Sequence, residues 1–182
     1  MDTPQRTRTY QCHHFDSTRW DYYTPRDDDI IIATSYKAGT TWTQAIIANL
    51  LFPDGEFPAP PSMLSPWLDM RYVPLELYLG GLESQQNRRF IKTHLPLDGM
   101  RYEPQLKYVY VSRDGRDVFM SMWNHYSNMT EESIFHMNNI PGRAGDPFPS
   151  PPEDIHEFWA TWVSKNWLDN EVGGWPYWSH HS

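Results

Sequence analysis

The sequence has 182 residues, 39% hydrophobic and 21% charged, with a formal net charge of −8, which fits one globular domain with its own core and excludes a disordered chain. The acidic balance argues against a nucleic-acid surface, so an anionic ligand has to be held by a few local cations. No apolar run reaches the length of a membrane span, the polar start lacks a signal-peptide core, and the single cysteine, Cys12, rules out an intramolecular disulfide framework; a cytoplasmic setting is the expectation.

Residues 1–29 are polar and irregular. Cys12-His13-His14 invites a metal reading, but no second cluster at ligand spacing supports it, and an arm packed on the domain is expected instead. His180-His181 at the other end is equally isolated. Ile30-Ile31-Ile32-Ala33 then reads as a buried strand, and Thr41 to Phe52 as a helix, apolar on nearly all sides and stopped by Pro53. Between them, Lys37 supplies a charge, Gly39 allows close backbone approach, and Thr40 and Thr41 supply hydroxyls. A loop of this kind at a helix N-terminus, whose first N–H groups lack partners, makes an anion site.

Five prolines within 53–66 predict an extended surface loop. Short helices are expected around Leu75–Ser84, with a break at Gly80-Gly81. Arg89–Thr93 is a short strand running into Lys92-Thr93-His94-Leu95-Pro96, a polar triplet where open parallel sheets face their ligands. Lys107–Ser112 is a third strand by its alternation, followed by a helix with Asp114 as N-cap and Val118, Phe119, Met122 and Trp123 on its buried side. Residues 127–152 read as a long polar connection of the lid or binding-loop kind. Ser150, Pro151 and Glu153 predict a helix start, with Ile155, Phe158, Trp159, Trp162 and Val163 on the apolar face that follows. Repeated strand–loop–helix units imply an α/β fold with a parallel sheet. Nine Trp, eleven Tyr and eight Phe exceed what such a core needs, so some rings are expected to line a pocket.

The loop is not a Walker A motif, since its lysine precedes the only glycine. Lys37-Ala38-Gly39-Thr40-Thr41-Trp42 resembles instead the 5′-phosphosulfate loop of sulfotransferases that use 3′-phosphoadenosine 5′-phosphosulfate (PAPS), typically T-Y-P-K-S-G-T-T-W. This chain departs from it at Ser35, Tyr36 and Ala38. Lys92-Thr93-His94-Leu95-Pro96 resembles the family's catalytic-histidine segment, and Tyr110-Val111-Ser112-Arg113 through Ser121 its 3′-phosphate segment. Ser65-Pro66-Trp67-Leu68 resembles a segment that borders the acceptor pocket.

The resemblance implies a P-loop-like three-layer fold, a central parallel sheet flanked by helices, in a single domain over 1–182. It implies sulfuryl transfer from PAPS to a hydroxyl or amine of a small, apolar acceptor, with PAP as product and no metal. In that reading His94 is the general base, Lys37 neutralises the 5′-phosphate, and Lys92, on the same strand face as His94, reaches the moving sulfuryl group. Ala38, Gly39, Thr40 and Thr41 line the 5′-phosphate, Trp42 stacks near the adenine, and Arg113 and Ser121 take the 3′-phosphate. The plainer alternatives are a hydrogen-bonded structural histidine, a solvated Lys92 and a core Trp42. Nothing in the sequence matches the family's R-K-G-x-x-G-type closing loop, so the fold is expected to be incomplete at the C-terminus, poorly stable alone and prone to self-association. Two other readings are a degenerate PAP- or PAPS-binding module without turnover, and a P-loop kinase, which the missing Walker lysine and magnesium carboxylate disfavour.

Overall fold

Ile30–Thr34 form β1, the central strand of a three-stranded sheet in the computed structural model, which describes residues 4–14, 16–142, 147–148, 150 and 153–164. Phe90–Thr93 form β2 and Lys107–Val111 form β3, each pairing in parallel with β1 to give the order β2-β1-β3. The register sets Ile31 beside Ile91 and Tyr108, and Ile32 beside Lys92 and Val109. Because β2 and β3 lie on opposite sides of β1, the chain reverses its strand order at the C-terminal end of β1. That crevice is where open α/β sheets bind ligands.

The isoleucine run is explained by two-sided burial, since side chains alternate between faces and both faces are covered. Ile31 and Ile91 pack with Trp20, Leu68, Leu82 and Met100 on one face. Ile30, Ile32 and Phe90 pack with Ile47, Ala48 and Leu64 on the other. Each buried Ile, Leu, Phe or Met among them contributes about 1.5–3 kcal/mol relative to exposure. The helices that supply these layers are α1 (Thr40–Leu51), α2 (Pro61–Leu64) and α3 (Leu75–Ser84). A third cluster joins α4 (Gly115–Ser127) to α5 (Glu131–Asn138) and α6 (Ile155–Ser164) through Phe119, Met122, Tyr126, Phe158 and Trp162.

Several expectations are corrected. The α1 helix is not buried all round: Trp42, Ile46 and Leu50, at spacings of four, are 78%, 56% and 75% exposed. The core alternative for Trp42 is therefore excluded. Gly80-Gly81 does not break α3, which is continuous. Pro61 opens a one-turn helix within the proline-rich stretch, because proline is tolerated in a first turn. The polar connection from residue 127 contains α5, started by Thr130, whose hydroxyl accepts from Ser133 N–H. The last helix runs from Ile155, with Asp154 accepting from the His156 and Glu157 N–H groups; the start expected at Pro151 lies outside the described residues. Asp114 does cap α4, accepting from Arg116 N–H.

At the opposite end of the sheet from the crevice, Arg89 and Asp29 form a buried ion pair with N–O distances of 2.5 and 3.0 Å. Tyr23 donates its hydroxyl to the same carboxylate. Among the described residues β3 pairs with β1 alone, whereas the Lys92 N–H of β2 also donates to the Pro66 carbonyl, 3.1 Å away.

Candidate active site

The loop leaving β1 turns through two residues with positive φ, Lys37 at 60° and Gly39 at 120°. Left-handed backbone at Lys37 is costly for a residue with a Cβ and marks a loop shaped for more than connection. Gly39 is the N-cap of α1 and supplies no side-chain cap, so the helix start presents its N–H groups at the loop, the arrangement that suits an anion. Ala38 and Thr40 are buried under the loop, Lys37 is half-buried, and Thr41 and Trp42 are exposed on the first turn.

Arg113, straight after β3, donates to the Lys37 carbonyl at 3.4 Å and lies 3.6 Å from Asp117. The Arg113 side chain thus reaches the backbone of the Lys37 loop from 76 positions along the chain. The α4 helix folds over the same place: burial and the nearby Lys37 charge both lower the pKa of His125. Ser121 is half-buried on that helix. Arg116 points away into a pair with Asp114 at 3.1 Å.

His94 sits immediately beyond β2, buried, with Nδ1 2.8 Å from the Thr34 carbonyl. A carbonyl only accepts, so Nδ1 carries the proton and Nε2 is the basic nitrogen of the neutral ring. Thr34 also places Oγ1 3.3 Å from the same Nδ1 and 2.5 Å from Thr40 Oγ1. A chain of hydroxyls therefore connects the anion loop to the histidine. Tyr36 stacks on the ring, and Trp67 meets it edge-on at 4.7 Å.

Lys92 places Nζ 5.1 Å from the centre of the Trp67 ring. Lys92 and His94 thus share Trp67, as expected of alternate positions on one strand face. Burial lowers the Lys92 pKa, and the Asp69 charge partly offsets this. Asp69 is fully buried beneath the site. The indole N–H groups of Trp67, at 2.6 Å, and Trp20, at 3.1 Å, donate to it, and burial raises its pKa. The plain solvated alternative for Lys92 does not match this setting.

Lys37, Arg113, Thr40, His94 and Lys92 thus gather around the C-terminal ends of three parallel strands. The sequence model described as sulfotransferase domain matches residues 27–182. This chain belongs to the sulfotransferase family. It is 40% identical over 153 residues to a glycolipid sulfotransferase of Mycobacterium tuberculosis, covering 79% of this chain and 47% of that protein. It is 27% identical over 167 residues to sulfotransferase 1A1 of Rattus norvegicus, covering 87% and 49%. The chain spans about half the length of these curated relatives. In fold it is similar to mouse sulfotransferase SULT7A1 complexed with PAP, with TM-score 0.60, 21% identity and coverage of 91% of this chain and 49% of that one. It is also similar to retinol dehydratase in complex with retinol and PAP, with TM-score 0.55, 22% identity and coverage of 90% and 52%.

Two residues of this candidate site escape a reading of the sequence. Thr34 looks like the last residue of a buried strand, and only the parallel register brings it to His94. Asp69 looks like a surface charge in a loop; Trp67, two residues before it, was the one nearby signal of a buried acceptor, and Trp20 reaches it from 49 positions away. Among the described residues, no helix is long and apolar enough to cross a membrane.

Proposed function

We propose that this chain binds PAPS at the end of β1 and transfers its sulfuryl group to a hydroxyl or amine of a small, apolar acceptor. The observation that carries the reading is the Thr34 carbonyl at His94 Nδ1, which leaves Nε2 as the base. In this mechanism Nε2 takes the proton of the acceptor as its oxygen or nitrogen attacks sulfur. The bond from sulfur to the 5′-phosphate oxygen breaks, and Lys37 with the α1 N-terminus neutralises the charge left on PAP. Lys92, half-buried against Trp67, supports the charge on the moving sulfuryl group. Arg113 grips the 3′-phosphate with its planar fork, and Ser121 adds a hydroxyl donor. Trp42, exposed beside the loop, supplies a ring face to the adenine.

The hydroxyl of the proposed acceptor is supported by the glycolipid sulfotransferase relatives, whose name points to a larger, amphiphilic carrier of it. The cytosolic sulfotransferase of Arabidopsis thaliana among its relatives supports a cytoplasmic setting. A second reading, nucleotide binding without turnover, is favoured by Tyr36 and Ala38, which replace the proline and serine of the usual loop. Calorimetric titration with PAP, alongside ATP–magnesium, tests both. PAP binding with sulfated product from a hydroxylated amphiphile supports transfer, and PAP binding without product from any acceptor supports the second reading. Preference for ATP–magnesium over PAP overturns both.

A further inference from the structure

We infer that Cys12, His13 and His14 form a zinc-binding site, which adjoins the candidate active site through Tyr36. Three consecutive side chains normally diverge, but here they lie in a tight loop closed by the Gln11–Asp16 bridge. That loop is pinned to the domain on two sides. Asp16 N–H donates to the Asp69 carbonyl at 2.7 Å, and Arg71 N–H donates to the His14 carbonyl at 2.8 Å. As a result one ligand atom from each residue falls within 4.8 Å of the others, and all three side chains are buried.

The individual distances suit a single small ion. His14 Nδ1 lies 2.8 Å from His13 Nε2 and 3.3 Å from Cys12 Sγ. Tetrahedral zinc requires about 3.3 Å between two nitrogens and about 3.6 Å between nitrogen and sulfur, from its usual bond lengths. These two edges therefore have to open by roughly half an ångström or less, while the widest separation in the cluster, within 4.8 Å, has to close by up to about an ångström, both through side-chain rotations. One ring nitrogen, His14 Nδ1, faces two heteroatoms while carrying either one proton or one lone pair, and an ion between the three replaces both contacts.

The donor set selects the metal. One thiolate and two imidazoles suit zinc, whereas the oxygen ligands that calcium and magnesium require do not contribute a ligand atom to the cluster. On binding, Cys12 enters as thiolate and its thiol proton passes to solvent. His14 also has the outer-shell support usual for a metal histidine, because its other ring nitrogen, Nε2, makes a short hydrogen bond with the Tyr36 hydroxyl. Three protein ligands leave the fourth position to water or a ligand donor.

The test uses the whole chain with His180→Ala and His181→Ala, which removes the other histidine pair, after chelator stripping. Zinc is titrated against a chromogenic indicator, and cobalt(II) is followed through its thiolate charge-transfer absorption. Because Cys12 is the only cysteine, that band reports on this residue without any further variant. We expect one zinc per chain, a cobalt band that disappears in Cys12→Ser, and at least about tenfold weaker zinc binding in His14→Ala and in Tyr36→Phe. Absence of stoichiometric zinc binding, or zinc binding unchanged in Cys12→Ser, overturns the site. PAP titration of the same samples is independent of this result, so failure of the zinc site leaves the sulfotransfer reading standing, and the reverse holds equally.

Discussion

Tyr36 lies against His94, with ring centroids 4.3 Å apart and planes inclined by 20°. The stack restrains imidazole rotation, while the Thr34 carbonyl fixes which nitrogen is protonated. Tyr36 stands where the sulfotransferase loop usually has proline, so this chain reaches a rigid loop–histidine junction by aromatic contact. Tyr36→Leu removes the stack, which is worth about 0.5–1.5 kcal/mol. The expected outcome is a kcat lower by roughly 3- to 10-fold with PAP affinity unchanged. Steady-state kinetics beside PAP titration check it, and a parallel loss of both would make Tyr36 a general support of the fold.

His94→Ala should reduce kcat by about 10²- to 10⁴-fold, the usual contribution of a positioned base, while PAP binds as before. Product formation in single-turnover assays is the measurement. An equal loss of nucleotide affinity would count against His94 as base.

Arg113→Ala should weaken PAP by roughly 10- to 100-fold, the worth of a hydrogen bond to a charged group. Arg116→Ala should leave PAP affinity unchanged, because that side chain is 82% exposed and paired with Asp114. Calorimetry on the two variants separates a specific phosphate grip from a general loss of positive charge.

Much of this arrangement was legible in the sequence because it follows from short-range chemistry. The isoleucine run, the Asp114 cap and the polar triplet at His94 each declare their place, and the three strands fall within a residue of where alternation puts them. The misses have tertiary causes. Gly80 and Gly81 stay helical, with the neighbouring Leu82 buried to 1% exposure in the core. The α5 helix escaped notice because its polar residues hide a partial apolar face, Ile134 and Met137, that packs on a neighbouring cluster. Apolar content alone could not say that Trp42, Ile46 and Leu50 face outward, since periodicity records a face and not what lies across from it. Thr34 and Asp69 acquire their roles only from strands and loops brought together by folding.

The Arg89–Asp29 pair predicts a pH dependence. Burial opposes ionisation of Asp29, yet hydrogen bonds from Arg89 and Tyr23 outweigh it and hold the carboxyl below its ordinary value. A depressed carboxyl contributes stability above its unfolded pKa, about 3.9, and loses it as pH falls through the folded value. The destabilisation caused by Asp29→Asn should therefore shrink below about pH 4. Arg89→Ala, which strands a buried carboxylate, should cost about 3–5 kcal/mol at neutral pH. Denaturant unfolding of the variants across pH checks both; a penalty for Asp29→Asn that persists at acid pH would show that shape, not charge, is what matters there.

The bare ridge of Trp42, Ile46 and Leu50 bears on how the chain should be handled. Sulfate ions act on such a molecule twice. As a kosmotrope sulfate strengthens the tendency of exposed apolar ridges to meet, and as a tetrahedral dianion it suits the start of the same helix, beside Lys37. A preparation kept in sulfate or phosphate would thus grow more associated while its anion loop is already occupied. Chloride at moderate strength is the background in which ligand occupancy and clustering can be read apart.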